Sequence, residues 1–434
     1  MNQRKLLGKW TSTSLVVGNM VGAGVFLMPA LLAVYGGISI IGWLVSTIGA
    51  ILIAILFSRL SRLLPGLQGG PYAYTKKGMG EFPGFLVAWG YWISVWTTNA
   101  ALAVAFVGYL SVFIPVLSEN AVYAAAMALF VIWFLSWFNT RGIRLVGEMS
   151  LVTTVLKLVP LAVISIAGLF FLNIDHFTPF NLSDENSLSA IAITTALTFF
   201  SFLGIESATI PAEDVENPTE TVAFATKWGT LIAAVVYILS SFSIMGIIHP
   251  DVLSNSTAPF ADAANILWGS GGNLIIALAA TISVFGALNG WILIQGQMPQ
   301  AIAKDGLFPS VFAKENKRGT PALGIVISSA LATLLIIMNY SGGLLEVFEF
   351  MILVSTVSVL IPYLFCSVSY VLLVKNSEGK KVLSIGIVLL ASLTFIFSLF
   401  ALIGSGFESV FWGVLFLLIG VPVYFILKRS QTKL

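Results

Sequence analysis

"GAGVFLMPA", residues 22–30, sits inside the first long apolar run of the chain, and "GIESATIPA", residues 204–212, sits inside the sixth. Gly22 and Gly204 are 182 residues apart, and so are Pro29-Ala30 and Pro211-Ala212. In lipid an unsatisfied backbone amide or carbonyl costs several kcal/mol, so a helix break at mid-depth survives only under protein or a watery cavity. Gly22-Ala23-Gly24 permits such a break, because glycine tolerates unusual dihedrals and leaves room beside the backbone. "SFLGIES", residues 201–207, offers one at the corresponding point of the sixth run. Small residues also serve plain helix packing. The matched spacing in both halves favours discontinuous helices.

Composition bounds the setting. Of 434 residues, 58% are hydrophobic and 9% charged, and mean hydropathy is +0.98. A soluble domain carries roughly a quarter charged residues, so this chain takes lipid as its solvent. A net charge of +2 argues against a nucleic-acid partner. The single cysteine, Cys366, excludes an internal disulfide framework and a cysteine-based metal cluster, and is expected as apolar filler. No cleavable signal peptide is evident, and no metal or cofactor is expected.

A helix needs about 20 apolar residues to cross the hydrocarbon. Twelve such runs are read: 12–33, 38–63, 84–115, 121–139, 148–172, 189–212, 224–248, 272–300, 321–338, 350–375, 382–404 and 408–427. The expected fold is an all-α integral membrane protein with 12 transmembrane helices. With a cytoplasmic N-terminus, the external connections hold Glu119, Asp175, Asp184, Glu185, Asp251, Asp262, Glu346, Glu349 and Glu408, and no Lys or Arg. Of the 21 basic residues, 20 fall on the cytoplasmic side, and Lys157 lies in the fifth run. This obeys the positive-inside rule and places both termini in the cytoplasm of the inner, cytoplasmic membrane.

Five runs per half is an odd number, so the second half enters the membrane inverted. That points to a five-plus-five inverted repeat with discontinuous helices 1 and 6 and a site at the midplane. The expected division of this single transporter domain is repeat 1 over 12–172, repeat 2 over 189–375, and two further helices over 382–427. The half-helix beginning after Gly24 exposes N–H groups that favour a carboxylate, and the half-helix ending before the break exposes carbonyls that accept from an ammonium. Together they suit an amino-acid zwitterion.

"GNMVGAGVFLMPA" (18–30), "GGPYAY" (69–74), "GIESA" (204–208), "AEDVENP" (212–218), "AKDGLFP" (303–309) and "GTP" (319–321) resemble the amino acid–polyamine–organocation superfamily of transporters. Within it the chain is most similar to the basic amino acid/polyamine antiporters, of the arginine/agmatine type. The resemblance covers spans 1 to 10 and implies the inverted repeat, alternating access without an ATPase, a small amino acid or amine as substrate, and a homodimer. It implies that the backbone of Val21, Gly22, Ala23 and Gly24 holds the substrate's carboxylate and amino groups, with Leu203 and Gly204 at the facing break. Ala23 stands where the arginine/agmatine type has serine. Ser94, Val95, Asn99 and Leu102 match pocket positions, with Asn99 on the substrate's distal polar group. Phe200 takes the place of a gating tryptophan, Trp291 that of an aromatic packing on the substrate, and Ser355 a polar pocket position. Glu206 matches a gating, proton-sensitive glutamate, and Tyr91 and Tyr363 match residues of the external gate.

Glu206 and Lys157 are the ionisable groups placed well inside spans, where charge is costly and points to function. Glu206 follows the sixth-span break; the alternative is a structural carboxylate bonded to neighbouring backbone. Lys157 departs from the arginine/agmatine pattern. Buried lysines shift their pKa readily, so it would couple protons in a symporter or act as a fixed cation bridging span 5 to the broken span 1. Asn99 alone also reads as interhelical glue, and the aromatics as core. Glu213, Asp214, Glu216 and Glu220 read as a solvated face or a gate, and "GGPYAYTKKG" as a cytoplasmic loop or re-entrant segment.

The leading expectation is exchange of amino acids, cationic ones favoured, against a related amino acid or amine. Proton symport through Lys157 is the alternative. A channel would need charged rings or a filter motif, and neither is present. A nutrient sensor on the same scaffold usually carries a long soluble tail, whereas here the last run ends at 427 of 434. An enzyme is not expected: His176 and His249 are far apart in sequence, and no HExxH, GxSxG or P-loop pattern occurs.

Overall fold

The structure is a computed structural model and describes residues 8–65, 67, 69–141, 159, 161–208, 216–341, 343–378 and 384–431. All regular elements among the described residues are helical. The first break is explicit: α1 (Lys9–Met20) stops, Val21 and Gly22 leave the helical region, and α2 (Ala23–Ala33) starts again. The two pieces are bent by 43°. The long helices that follow are α3 (Ser39–Leu63), α5 (Glu81–Leu110), α6 (Ala121–Asn139), α8 (Pro218–Ile247), α10 (Ser270–Lys304), α11 (Ala322–Asn339), α12 (Leu344–Glu378), α13 (Ile385–Gly404) and α14 (Gly406–Gln431). Shorter ones are α4 (Pro71–Met79), α7 (Ser187–Phe199) and α9 (Pro259–Trp268).

Nine helices are long and apolar enough to cross a membrane, and the bent α1–α2 pair makes a tenth, among the described residues. The expected fifth span, 148–172, is described only at 159 and from 161 onward, and Lys157 lies outside the described residues. The expected sixth span, 189–212, is described as far as 208: α7 is followed by two short 3-10 turns, Phe200–Phe202 and Ile205–Ala208. Between the turns Gly204 takes a φ of 103°, which a side chain strongly disfavours.

Burial orders the helices from the inside out. The apolar window of α5 is 89% buried and that of α14 only 17%, so α5 is the axis of the bundle and α14 its lipid-facing edge. Exposed Phe, Ile and Leu along α13 and α14 have hydrocarbon as their solvent. Close approach depends on small residues: Gly404 of α13 lies against the Ala192 carbonyl of α7, where any Cβ would collide.

One end of the bundle is tied by ions and phenols. Lys9 pairs with Glu220 at 3.0 Å, Lys304 with Glu315 at 3.4 Å, and Lys428 with Glu81. The segment expected as a cytoplasmic loop or re-entrant stretch forms the helix α4, whose first half is buried. Gly70 precedes it at positive φ, and Pro71 opens it where no N–H is needed. Its Tyr72 hydroxyl donates to Asp305 Oδ2 at 2.8 Å, and Lys76 Nζ donates to the Asp305 carbonyl at 3.2 Å. Two of the quoted motifs, "GGPYAY" and "AKDGLFP", thus lock together. Burial, then the Asp305 carboxylate, pushes the Tyr72 phenol well above its ordinary pKa, so it stays a donor.

Candidate functional site

The two helix breaks meet. A methyl group on Gly24 would lie 2.8 Å from Ser201 Oγ and 3.1 Å from Phe200 Cδ1, so the backbone of α2 rests on the turn that ends the first half of the sixth segment. On the other side, a methyl on Gly22 would lie 3.6 Å from Leu102 Cδ2 of α5 and 3.8 Å from Ala287 Cβ of α10. Val21, Leu203, Phe200 and Trp291 are all buried here. The first N–H groups of α2 have no partner within their own helix, and the positive end of its dipole lies at this junction.

Three further groups of side chains surround the breaks. Ser355 Oγ donates to the Ser94 carbonyl at 3.0 Å, and the Thr98 hydroxyl meets Ser355 Oγ at 2.8 Å. Ser94 Oγ donates to the Tyr91 carbonyl at 2.7 Å. Asn99 Nδ2 donates to Gln295 Oε1 at 2.7 Å, with both side chains fully buried. Phe200 meets Phe348 of α12 edge-on, ring centroids 6.2 Å apart. Among the described residues, Asn99 Oδ1 and Ser201 Oγ are buried and meet no donor.

Glu206 is buried and joins three segments. The Tyr363 hydroxyl donates to its Oε2 at 2.7 Å, and the Tyr91 hydroxyl is bonded to the same carboxylate. A latch of one carboxylate and two phenols therefore ties the sixth-segment turn to α5 and α12. One helical turn beyond Tyr363, Cys366 Sγ contacts the Pro71 carbonyl of α4 at 3.6 Å and lies 3.6 Å from Thr75 Oγ1. The latch is thus on the α4 side of the breaks, toward the basic end, because α12 passes α4 there. The Phe200–Phe348 pair is on the side where Glu346 begins α12.

Four contributors were missed from sequence. Gln295 had a signal: a polar residue in a membrane span, one turn from Trp291 on the same face. Thr98 adjoins Asn99. Phe348 and Tyr237, whose hydroxyl donates to the Ser201 carbonyl at 2.9 Å, carried none in an aromatic-rich chain. His176 and His249, far apart in sequence, bring their rings to 5.4 Å. Of the acidic set, Glu220 pairs with Lys9 and Glu216 is exposed. Glu213 and Asp214 lie outside the described residues.

A bundle of membrane-length helices that buries two touching helix breaks around open hydrogen-bonding valence is the build of a solute transporter. The chain belongs to the amino acid permease family, whose model matches residues 7–427; its members are transporters, not enzymes. It is 31% identical over 415 residues to a cadaverine/lysine antiporter of Escherichia coli (strain K12), covering 94% of this chain and 92% of that one. It is 32% identical over 415 residues to the putrescine transporter PotE of Haemophilus influenzae, covering 95% and 94%. A putrescine transporter PotE of Escherichia coli (strain K12) is 30% identical over 419 residues, covering 95% and 94%.

Proposed function

We propose that this protein exchanges an amino acid, a cationic one favoured, for a related amino acid or amine across the cytoplasmic membrane by alternating access. The carrying observation is the contact of the two breaks, Gly24 against Phe200 and Ser201, in a chain whose relatives are named for amino acid and diamine antiport or transport. In this reading the fold is a five-plus-five inverted repeat, 12–172 and 189–375, with helices 382–427 outside it and both termini cytoplasmic. The N–H groups at Ala23 and Gly24 take the substrate carboxylate. Carbonyls at the ends of the broken helices, around Val21, Gly22, Leu203 and Gly204, take the ammonium. The side chain lies over Trp291 and reaches Asn99, with Ser94 and Ser355 shaping the wall. Phe200 closes one side. The Glu206–Tyr91–Tyr363 latch closes the other and releases when the sixth-segment turn moves.

The second reading is proton symport through Lys157, a lone lysine in an apolar run. Purified protein in liposomes separates the two. Uptake of labelled arginine, lysine or leucine is measured with and without internal amino acid or amine, and with and without a pH gradient. Exchange predicts uptake only against internal substrate, whatever the gradient. Accumulation into empty liposomes from acidic medium, lost in Lys157→Met, would replace it with symport.

A further inference from the structure

We propose that Gln295 is a positioning residue that turns the Asn99 amide oxygen outward, and so sets a preference for substrates whose distal end donates hydrogen bonds. This rests on the reading of Asn99 as pocket wall given above. Gln295 Nε2 faces the Ile325 carbonyl at 3.2 Å and Ser329 Oγ at 2.7 Å. A main-chain carbonyl only accepts, so the nitrogen of the amide belongs on that side. Ser329 Oγ and Ser136 Oγ are 2.6 Å apart, and Ser136 donates to the Ile132 carbonyl at 2.7 Å. A hydroxyl has one proton, so Ser329 must donate to Ser136 and accept from Gln295. Two main-chain carbonyls, in α11 and α6, thereby anchor a relay of donors that runs one way.

The opposite end of the relay follows. With its nitrogen committed, Gln295 presents Oε1 to Asn99 and accepts from Nδ2 at 2.7 Å. Turning Asn99 over would set two amide oxygens against each other. The group left over is Asn99 Oδ1, fully enclosed and, among the described residues, without a donor. A buried acceptor left unmet is destabilising, so a substrate that brings an N–H there gains, and one that brings a methyl or a carboxylate does not. Asn99 shares a helix face with Leu102, which reaches Gly22, and Gln295 shares one with Trp291. The oriented oxygen thus belongs to the walls around the first break. The recognised chemistry is an ammonium, guanidinium or amide N–H at the far end of an amino acid or amine.

The test is competition for labelled-lysine exchange in proteoliposomes by unlabelled lysine and by norleucine, which has a methyl where lysine has its aminomethyl group. The readout is the ratio of the two inhibition constants. Gln295→Met frees the Asn99 amide and should lower the lysine preference about tenfold, with norleucine affinity unchanged within about twofold. In an Asn99→Leu background Gln295→Met should change the ratio no further, the signature of action through Asn99. Ser329→Ala, a milder change that leaves the Ile325 carbonyl in place, should move the ratio the same way by less, and decides the matter if Gln295→Met does not fold. If Asn99→Leu lowers the preference but Gln295→Met and Ser329→Ala do not, or if the effects add, the positioning role is overturned. If Asn99→Leu leaves the ratio unchanged, the pocket reading falls and this inference with it.

Discussion

Glu206 has two phenols on one carboxylate, and that count decides what its neutral isostere would do. Glu206→Gln replaces one acceptor oxygen with an amide nitrogen that only donates, so the two phenols can no longer both donate to a charged carboxylate. A buried hydrogen bond to a charged group contributes about 1.5–3 kcal/mol. Glu206→Gln and Tyr363→Phe should each slow exchange by about tenfold or more while leaving substrate affinity within a few fold, as counterflow in liposomes would reveal. Loss of affinity with an unchanged rate would mean the carboxylate contacts substrate instead. The glycines separate by geometry. Gly24→Ala drives a methyl into Ser201 and Phe200, whereas Gly22→Ala meets atoms only at 3.6 and 3.8 Å. Exchange should be abolished in the first and survive within about threefold in the second, since 3.5–4.0 Å is ordinary carbon contact. Gly204→Ala forces an L-residue to a φ of 103°, with a cost of about 1–3 kcal/mol readable as a lower thermal midpoint.

Among the elements, α4 has the most direct readout. Its buried half covers Cys366, the chain's one cysteine, and its far anchor is the Tyr72–Asp305 bond. Tyr72→Phe should loosen that anchor and raise the rate at which a maleimide added from the α4 side labels Cys366, several fold over the parent protein, read by mass spectrometry. An unchanged rate would place the seal elsewhere. The helix was legible only in part. Gly70 and Pro71 announce a turn followed by a helix start, but nine residues between two spans read equally well as loop. What makes them a helix is burial against α5 and α12 and the cap of contacts from Asp305, 233 positions away in sequence.

For the molecule as a whole, sidedness is the testable quantity. The basic end, with Lys9, Lys76, Lys304 and Lys428, should face the cytoplasm under the positive-inside rule. On a Cys366→Ala background, Asp251→Cys should react with an impermeant maleimide in right-side-out vesicles, and Arg429→Cys only after permeabilisation. The reverse pattern would invert the topology. Any such result also fixes the direction of the latch, since Glu206, Tyr91 and Tyr363 lie on the α4 side of the breaks.

What the chain determined by itself was whatever depends on local composition. Among the described residues, apolar runs set most of the helices to within a few residues, and glycine at 22, 24 and 204 marked the breaks, because lipid punishes an open backbone wherever it occurs. Asn99, Glu206, Tyr363 and Ser355 could be picked out from sequence one at a time. Tertiary structure alone decided who meets whom. It gave Asn99 to Gln295, Glu206 to two tyrosines, and Gly24 to Ser201. Those pairings join residues roughly 110 to 200 positions apart, and hydrogen bonds act over about 3 Å. No periodicity along the chain records which two helix faces will come within that distance.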